Sequence, residues 1–280
     1  MITRRQFNIA AGGLAIALSA PAVLKSGASA QGKSSLERVK SSGVLRIGGI
    51  PDGAPGYQKA LTDGQWRGFY VDLAQQLAKD LNVELSIVET TWGNSVLDLQ
   101  SDKIDVFFGL NPTPARAEVI DFSGPIFKNA FTLVANNTLA AQTWDDLNKP
   151  EVRIAVDAGS AQDAAVTKHA PNAQIVRLKT TSDGTAALQA GRVDAQCLVV
   201  VLALTLLSKN PSVGKLIVPT PIDATTSNAG FRREDDKSWM QFVDSWITKY
   251  RDNGFVQSTV VRNLELVGVK TSDFPAGLTI

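Results

Sequence analysis

Residues Ile104–Pro125 read IDVFFGLNPTPARAEVIDFSGP. Ile104–Phe108 is a short apolar run of the kind that forms a buried strand. Gly109, Asn111 and Pro112 end it, and Thr113 can cap a short helix with Pro114 in its first position. A helix start there would aim backbone N–H groups at one point above the strand end, where an anion is stabilised. Arg116, one turn in, can return to the same point as a two-pronged carboxylate fork. Taken alone, Arg116 has a second reading, a surface arginine paired with Glu118 or Asp121.

Outward from this stretch, the chain alternates strand and helix. Val44–Gly48 is strand-like and enters the loop Gly48–Gly56. Tyr70–Asn82 carries Val71, Ala74, Leu77, Ala78 and Leu81 at helical spacing. Val83–Val88 alternates as a strand, and Ser95 is placed to cap the helix Val96–Ser101. This β-α-β-α-β order predicts a parallel sheet with ligand chemistry at the carboxyl ends of its strands. From Asn136 the same grammar begins again. Helices are expected from Thr143 and over Ala161–Lys168, Ser182–Ala190 and Val200–Ser208, and strands over Val152–Val156, Ile175–Leu178, Ala195–Val199 and Leu216–Val218. After a strand at Asn228–Arg232, Glu234–Asn253 puts Trp239, Phe242, Val243, Trp246, Ile247 and Tyr250 on one face. Aromatic residues at that spacing read as core. The two α/β units show no sequence-level repeat.

The 280 residues hold 28 basic and 27 acidic side chains, one histidine and one cysteine. Thr3-Arg4-Arg5-Gln6-Phe7, an apolar segment from Ile9 to Leu24 and Ala28-Ser29-Ala30 read as an export signal over residues 1–30. The paired arginines resemble the twin-arginine type. Loss of Arg4, Arg5 and Lys25 with that leader leaves 25 basic and 27 acidic residues, a formal charge of −2. That balance argues against nucleic acid or an anionic membrane surface as partner. Cys197, in an apolar run, is expected as a buried thiol without a disulfide partner. With no cysteine at the cleavage site to carry a lipid, a soluble periplasmic protein is expected. His169, between a helix and Pro171, is expected at an exposed helix end. Asp72, Asp98, Asp102 and Asp105 take ordinary capping or surface readings. No zinc set, Ser-His-Asp triad, phosphate loop or dinucleotide fingerprint occurs, so no metal and no cofactor is expected.

The order strand, Gly, polar residue, Thr-Pro-x-Arg and Asp-Phe-Ser-x-Pro resembles the family 3 extracellular solute-binding proteins, the amino-acid-binding class that serves ABC importers. The resemblance runs from about residue 42 onward. It implies a two-lobe periplasmic binding protein fold of type II, each lobe a mixed, mostly parallel sheet flanked by helices, joined by a two-strand hinge. The first lobe would be discontinuous, residues 31–134 with 225–280, and the second continuous, 135–224. The protein is expected as a monomer that closes on a small carboxylate-bearing ligand and hands it to an inner-membrane permease.

The resemblance also implies ligand residues. Arg116 would hold the carboxylate with Asn111, opposite the N–H groups of Ser160 and Ala161 in the turn Asp157–Gln162. Trp92 would cover the apolar part, and Asp157 would meet the distal end of the ligand. Amino-acid binders of the family place an aspartate five residues after the Asp of Gly191-Arg192-Val193-Asp194-Ala195, to hold the α-ammonium. Here that position is Val199, which cannot pair a buried ammonium. The Gly109 carbonyl or Asp157 remain alternative ammonium partners. Gly53 and Gly56 stand where an aromatic residue over the ligand is frequent, so a more open wall is expected. Two further readings are a dehydratase-like enzyme on the same scaffold, with Asp157 as its only evident proton donor, and a sensor that presents ligand to a receptor.

Overall fold

Two long antiparallel strands organise the protein. The computed structural model describes residues 34–276 and 278, and the expected leader lies outside the described residues. The chain enters at helix α1 (Ser35–Ser42), capped by the Ser34 side chain, which accepts the Glu37 N–H, and closed by Gly43 at φ 69°. Strand β1 (Val44–Gly49) follows, then the short pair β2 (Gln58–Lys59) and β3 (Trp66–Arg67). Helix α2 (Phe69–Leu81) buries Leu73, Ala74 and Leu77 and leads to β4 (Glu84–Glu89), which lies parallel to β1. Helix α3 (Ser95–Gln100), strand β5 (Phe107–Leu110) and the four-residue helix α4 (Pro114–Ala117) complete this part. Ser95 does not cap α3. It is the first helical residue, and its hydroxyl donates to the Trp92 carbonyl at 2.8 Å.

Strand β6 (Ile120–Ala135) has sixteen residues, about 50 Å when extended. Up to Ala130 it pairs with β11 (Ala224–Arg232), and from Phe131 it pairs with β9 (Ala195–Val199). Beyond that switch lie α5 (Trp144–Leu147), β7 (Arg153–Asp157), α6 (Ala161–His169), β8 (Gln174–Leu178), α7 (Thr181–Gln189), α8 (Val200–Lys209) and β10 (Lys215–Ile217). Strands β9, β7 and β8 are mutually parallel, and β10 runs antiparallel to β6. On the other side β11 pairs with β5, and an Ile47–Val106 bridge brings β1 and β4 alongside. The result is two lobes, each a mixed sheet flanked by helices, with β6 and β11 passing between them.

Helices α9 (Ser238–Asp252) and α10 (Phe255–Leu266) close the chain. The α9 stripe is core, with Trp239, Val243, Trp246 and Ile247 buried, and Gly254 ends the helix at φ 80°. Helix α10 is not anticipated by the sequence reading, although buried Val256, Val260 and Leu264 recur every four residues. It packs on α2 and α9.

Each lobe is pinned by the same clamp. In the first, the Arg46 N–H donates to Asp105 at 2.7 Å and its guanidinium grips the same carboxylate at 2.6 Å. In the second, the Arg153 N–H donates to Asp194 at 2.9 Å and its guanidinium does so at 2.7 Å. Arg38 also contacts the Asp105 carboxylate. Asp98 and Asp105 are thus buried partners rather than capping or surface residues, and Asp98 bonds Thr90 and Lys103. His169 likewise departs from the exposed helix end expected of it. Its ring stacks on Trp144 at 4.8 Å and its Nε2 lies 2.8 Å from Asp223. Cys197 is a buried free thiol as its apolar surroundings imply, and burial raises its pKa far above the ordinary value.

Candidate functional site

Strand β5 delivers the chain to the space between the lobes. Gly109, at φ 93°, allows the turn, and a Cβ there would meet the Tyr70 ring at 2.5 Å. Thr113 caps α4 as its sequence predicts, its hydroxyl accepting the Arg116 N–H at 3.2 Å with Pro114 first in the helix. That N–H is therefore consumed locally, and attraction for an anion rests on the guanidinium rather than on the helix start.

The Arg116 side chain turns inward and is only 7% exposed. Its Nη1 donates to the Asn111 carbonyl at 3.1 Å, and its Nη2 to the carbonyls of Trp92 at 3.1 Å and Gly159 at 3.3 Å. No carboxylate among the described residues forms an ion pair with it. Asp121, its possible surface partner, pairs with Lys237 and Arg233 instead. Burial lowers the Arg116 pKa to about 10, so it remains a cation at neutral pH. Three neutral carbonyls orient this charge without neutralising it, and a buried charge without a counter-ion favours an anion beside it.

Helix α6 faces Arg116 from the second lobe. Gly159, at φ 71°, makes the turn, and the Ser160 hydroxyl accepts the Asp163 N–H at 3.2 Å. The Ser160 N–H is directed to the Asp157 carbonyl at 3.0 Å, so it does not open into the cleft as expected. Ala161 and Gln162 follow, and first-turn amides have no intrahelical acceptor.

Between the lobes lies a narrow cavity of about 20 Å³, room for about one water molecule, so a ligand enters it only as the lobes part. Of the residues singled out by sequence, Trp92, Gly109, Asn111, Arg116, Ala161 and Val199 line it, while Ser160 and Asp157 do not. Asn111 is anchored by its Nδ2 donating to the Thr226 carbonyl at 2.9 Å. Asp157 is 5% exposed, and Thr181 donates to its carboxylate at 2.6 Å. Burial, with smaller contributions from Asp52 and Asp183, raises its pKa to about 6.

Sequence reasoning missed Phe69, Tyr70, Asn129, Gln162, Val201 and Leu202, which also line the cavity. Gly53 faces Ile50 and Trp92, and Tyr70 explains Gly56. A Cβ on Gly56 would lie 2.6 Å from the Tyr70 ring, so the wall is filled by an aromatic residue of α2 rather than left open. The Tyr70 hydroxyl bonds Ser227, and Tyr57 packs beside the ring at 5.1 Å. Phe69-Tyr70 directly after Gly68 was the available signal. Asn129 was another, a polar residue in the apolar run Ile126–Ala135.

Two further contacts cross the cleft. The Ser182 N–H donates to Asp52 at 2.8 Å. Gly93 abuts the second lobe so closely that a Cβ on it would lie 2.3 Å from the Ala158 carbonyl oxygen. The described residues contain no cluster suited to a metal ion and no helix long and apolar enough to cross a membrane.

Residues 45–262 match the model of the bacterial extracellular solute-binding proteins, family 3. The chain is 24% identical to the cyclohexadienyl dehydratase of Pseudomonas aeruginosa, over 89% of this chain and 93% of that one. It is 28% identical to the L-cystine-binding protein TcyJ of Escherichia coli, over 88% and 91% of the two chains. Among solved structures, an amino acid ABC transporter substrate-binding protein from Streptococcus pneumoniae bound to L-arginine superposes with a TM-score of 0.74. It shares 29% identity, with 83% of this chain and 98% of that one covered. An ancestral amino acid-binding protein, a precursor of cyclohexadienyl dehydratase, gives a TM-score of 0.75 at 27% identity, covering 82% of this chain and all of that one. With the two lobes, the two shared strands and the cleft already in place, the chain belongs to the family 3 bacterial extracellular solute-binding proteins and has the type II periplasmic binding protein fold.

Proposed function

We propose that this protein captures a small carboxylate-bearing solute in the periplasm and delivers it to an ABC importer. The observation that carries the reading is Arg116, a buried cation facing a cavity with only neutral partners. A ligand carboxylate would take the guanidinium from the first lobe, with Asn111, and the amides of Ala161 and Gln162 from the second. A ligand that bridges both favours the closed arrangement by its differential affinity. In this reading the lobes are residues 31–134 with 225–280 and 135–224, the leader is residues 1–30, and the mature protein acts as a monomer. The solute class spans amino acids, their derivatives and related organic acids, the first two suggested by the names of the cystine and arginine relatives.

We read the site as binding without covalent chemistry. The dehydratase relative keeps an enzyme in view, and such a reaction needs a proton donor against the substrate. Asp157, the acid best suited by its raised pKa, is bonded to Thr181 and does not line the cavity. Calorimetry of the purified protein with paired amino acids and organic acids tests the binding reading. Arg116→Ala is expected to lose about 2–5 kcal/mol of affinity for whichever compound binds. Affinity held within threefold would overturn the carboxylate reading.

A further inference from the structure

The charge inventory of the cavity is one-sided. Among the described residues, Arg116 is the one ionised side chain that lines it. On the second-lobe wall stand Val199, Val201 and Leu202, which offer no side-chain acceptor. Of the acids near the cleft, Asp157 is bonded to Thr181, Asp52 accepts the Ser182 N–H, and Glu89 pairs with Lys59. An ammonium group brought into this cavity would lose its water and meet a guanidinium but no carboxylate.

The cavity does hold neutral hydrogen-bonding groups. Gln162 is 4% exposed, yet neither end of its amide has a partner among the described residues. Asn129, 6% exposed, accepts the Ala130 N–H at 3.0 Å through Oδ1, and its Nδ2 has no partner among them either. Two amide groups lining the cavity with donors to spare suit an uncharged oxygen on the ligand, a keto or hydroxyl group. Phe69, Tyr70 and Trp92 supply flat apolar surface around the rest. Trp92 Nε1 is itself buried without a partner, one more donor on this wall.

Resting on the carboxylate reading above, we propose that the cavity selects organic acids without an ammonium group. The ligand class is a planar, largely apolar carboxylate carrying a keto or hydroxyl oxygen, its carboxylate on Arg116 and that oxygen on Gln162 and Asn129. Val199 then acts as a specificity residue, because it withholds the anion that an amino acid requires.

The test is calorimetry on the purified protein with phenylpyruvate, L-phenylalanine, 3-phenylpropanoate and 3-phenylpropanamide, repeated with the corresponding leucine-derived set. The oxo acid is expected to bind at least tenfold tighter than the amino acid, with the plain acid between them and the amide without measurable binding. An amino acid equal to or tighter than its oxo acid overturns this proposal and leaves the carboxylate reading standing. An amide equal to its acid overturns the carboxylate reading itself, and silence from both sets overturns the ligand class. Val199→Asp is expected to shift the amino-acid to oxo-acid ratio at least tenfold toward the amino acid. Gln162→Leu should reduce the preference for phenylpyruvate over 3-phenylpropanoate at least threefold while the plain acid stays within threefold. An unchanged ratio in either variant removes that residue from the specificity mechanism.

Discussion

Arg46 and Arg116 sit in the same lobe and resolve the problem of a desolvated guanidinium in opposite ways. Arg46 shares the buried carboxylate of Asp105 with Arg38, and its counterpart Arg153 has Asp194 in the second lobe. Arg116 is more deeply buried, and among the described residues its guanidinium has only carbonyl partners. An arginine that serves the fold carries its counter-ion with it. In the proposed reading Arg116, oriented by neutral groups, leaves neutralisation to the ligand. The difference lies in the partners as well as in burial, since Arg46 is only partly buried.

The largest effect should come from breaking the structural pair. Asp105→Ala removes the buried carboxylate that two guanidinium groups share, leaving them Asp102 alone and the Arg46 N–H unpaired, and should destabilise the fold by about 3 kcal/mol in denaturant titration. Arg116→Met should do the reverse. Removal of an unneutralised buried charge should leave ligand-free stability unchanged or higher, while affinity falls by about 2–5 kcal/mol. Equal losses of stability in the two variants would erase the distinction between the arginines.

Asp157 is the acidic counterpart of Arg116, buried with a single hydroxyl donor. Its pKa rises from 3.8 to about 6 on folding, so between those values the folded state holds more protons than the unfolded one. Stability should therefore fall as pH rises from about 4 to 6 and then level off. Asp157→Asn should be more stable than the native protein by about 1–3 kcal/mol at pH 7.5, with the gain gone below pH 4. A gain that persists at pH 4, measured by urea titration at both values, would show that burial of the charge is not the cause.

Periodicity and turn chemistry made most of this architecture legible. The Thr113-Pro114 cap, the Ala195–Val199 strand and the α9 stripe follow from local rules. Both aspartates of the clamps stand one residue after an apolar residue in similar segments, Lys103-Ile104-Asp105 and Arg192-Val193-Asp194. Their matching roles are invisible until β1 and β7 bring Arg46 and Arg153 across. The candidate site was legible where one segment builds it, at Arg116 and Asn111, which both line the cavity. It was not where separate segments meet. Tyr70 fills the space beside Gly56 from another element, so a missing side chain suggested room that does not exist. The Ser160 N–H was assigned to the cleft because helix starts usually present it. The turn at Gly159 bends it back to Asp157, a choice of backbone conformation that residue types alone do not encode.

Gly93 sharpens the contrast from the side of motion. Its backbone meets Ala158 and Gly159 across the cleft, beside the bond from Arg116 to the Gly159 carbonyl. A methyl group there would stand 2.3 Å from a carbonyl oxygen, and neither neighbour is the flexible end of a side chain. The contact lies between lobes, so opening relieves it and the fold of each lobe is untouched. Gly93→Ala should therefore weaken binding by about 1–2 kcal/mol, roughly five- to thirtyfold, with ligand-free melting unchanged. Small-angle scattering should show the variant more expanded than the native protein at the same saturating ligand. Native compaction together with native affinity would mean that the bound state does not bring Gly93 against Ala158, and that Arg116 meets its ligand without the second lobe closing to this contact.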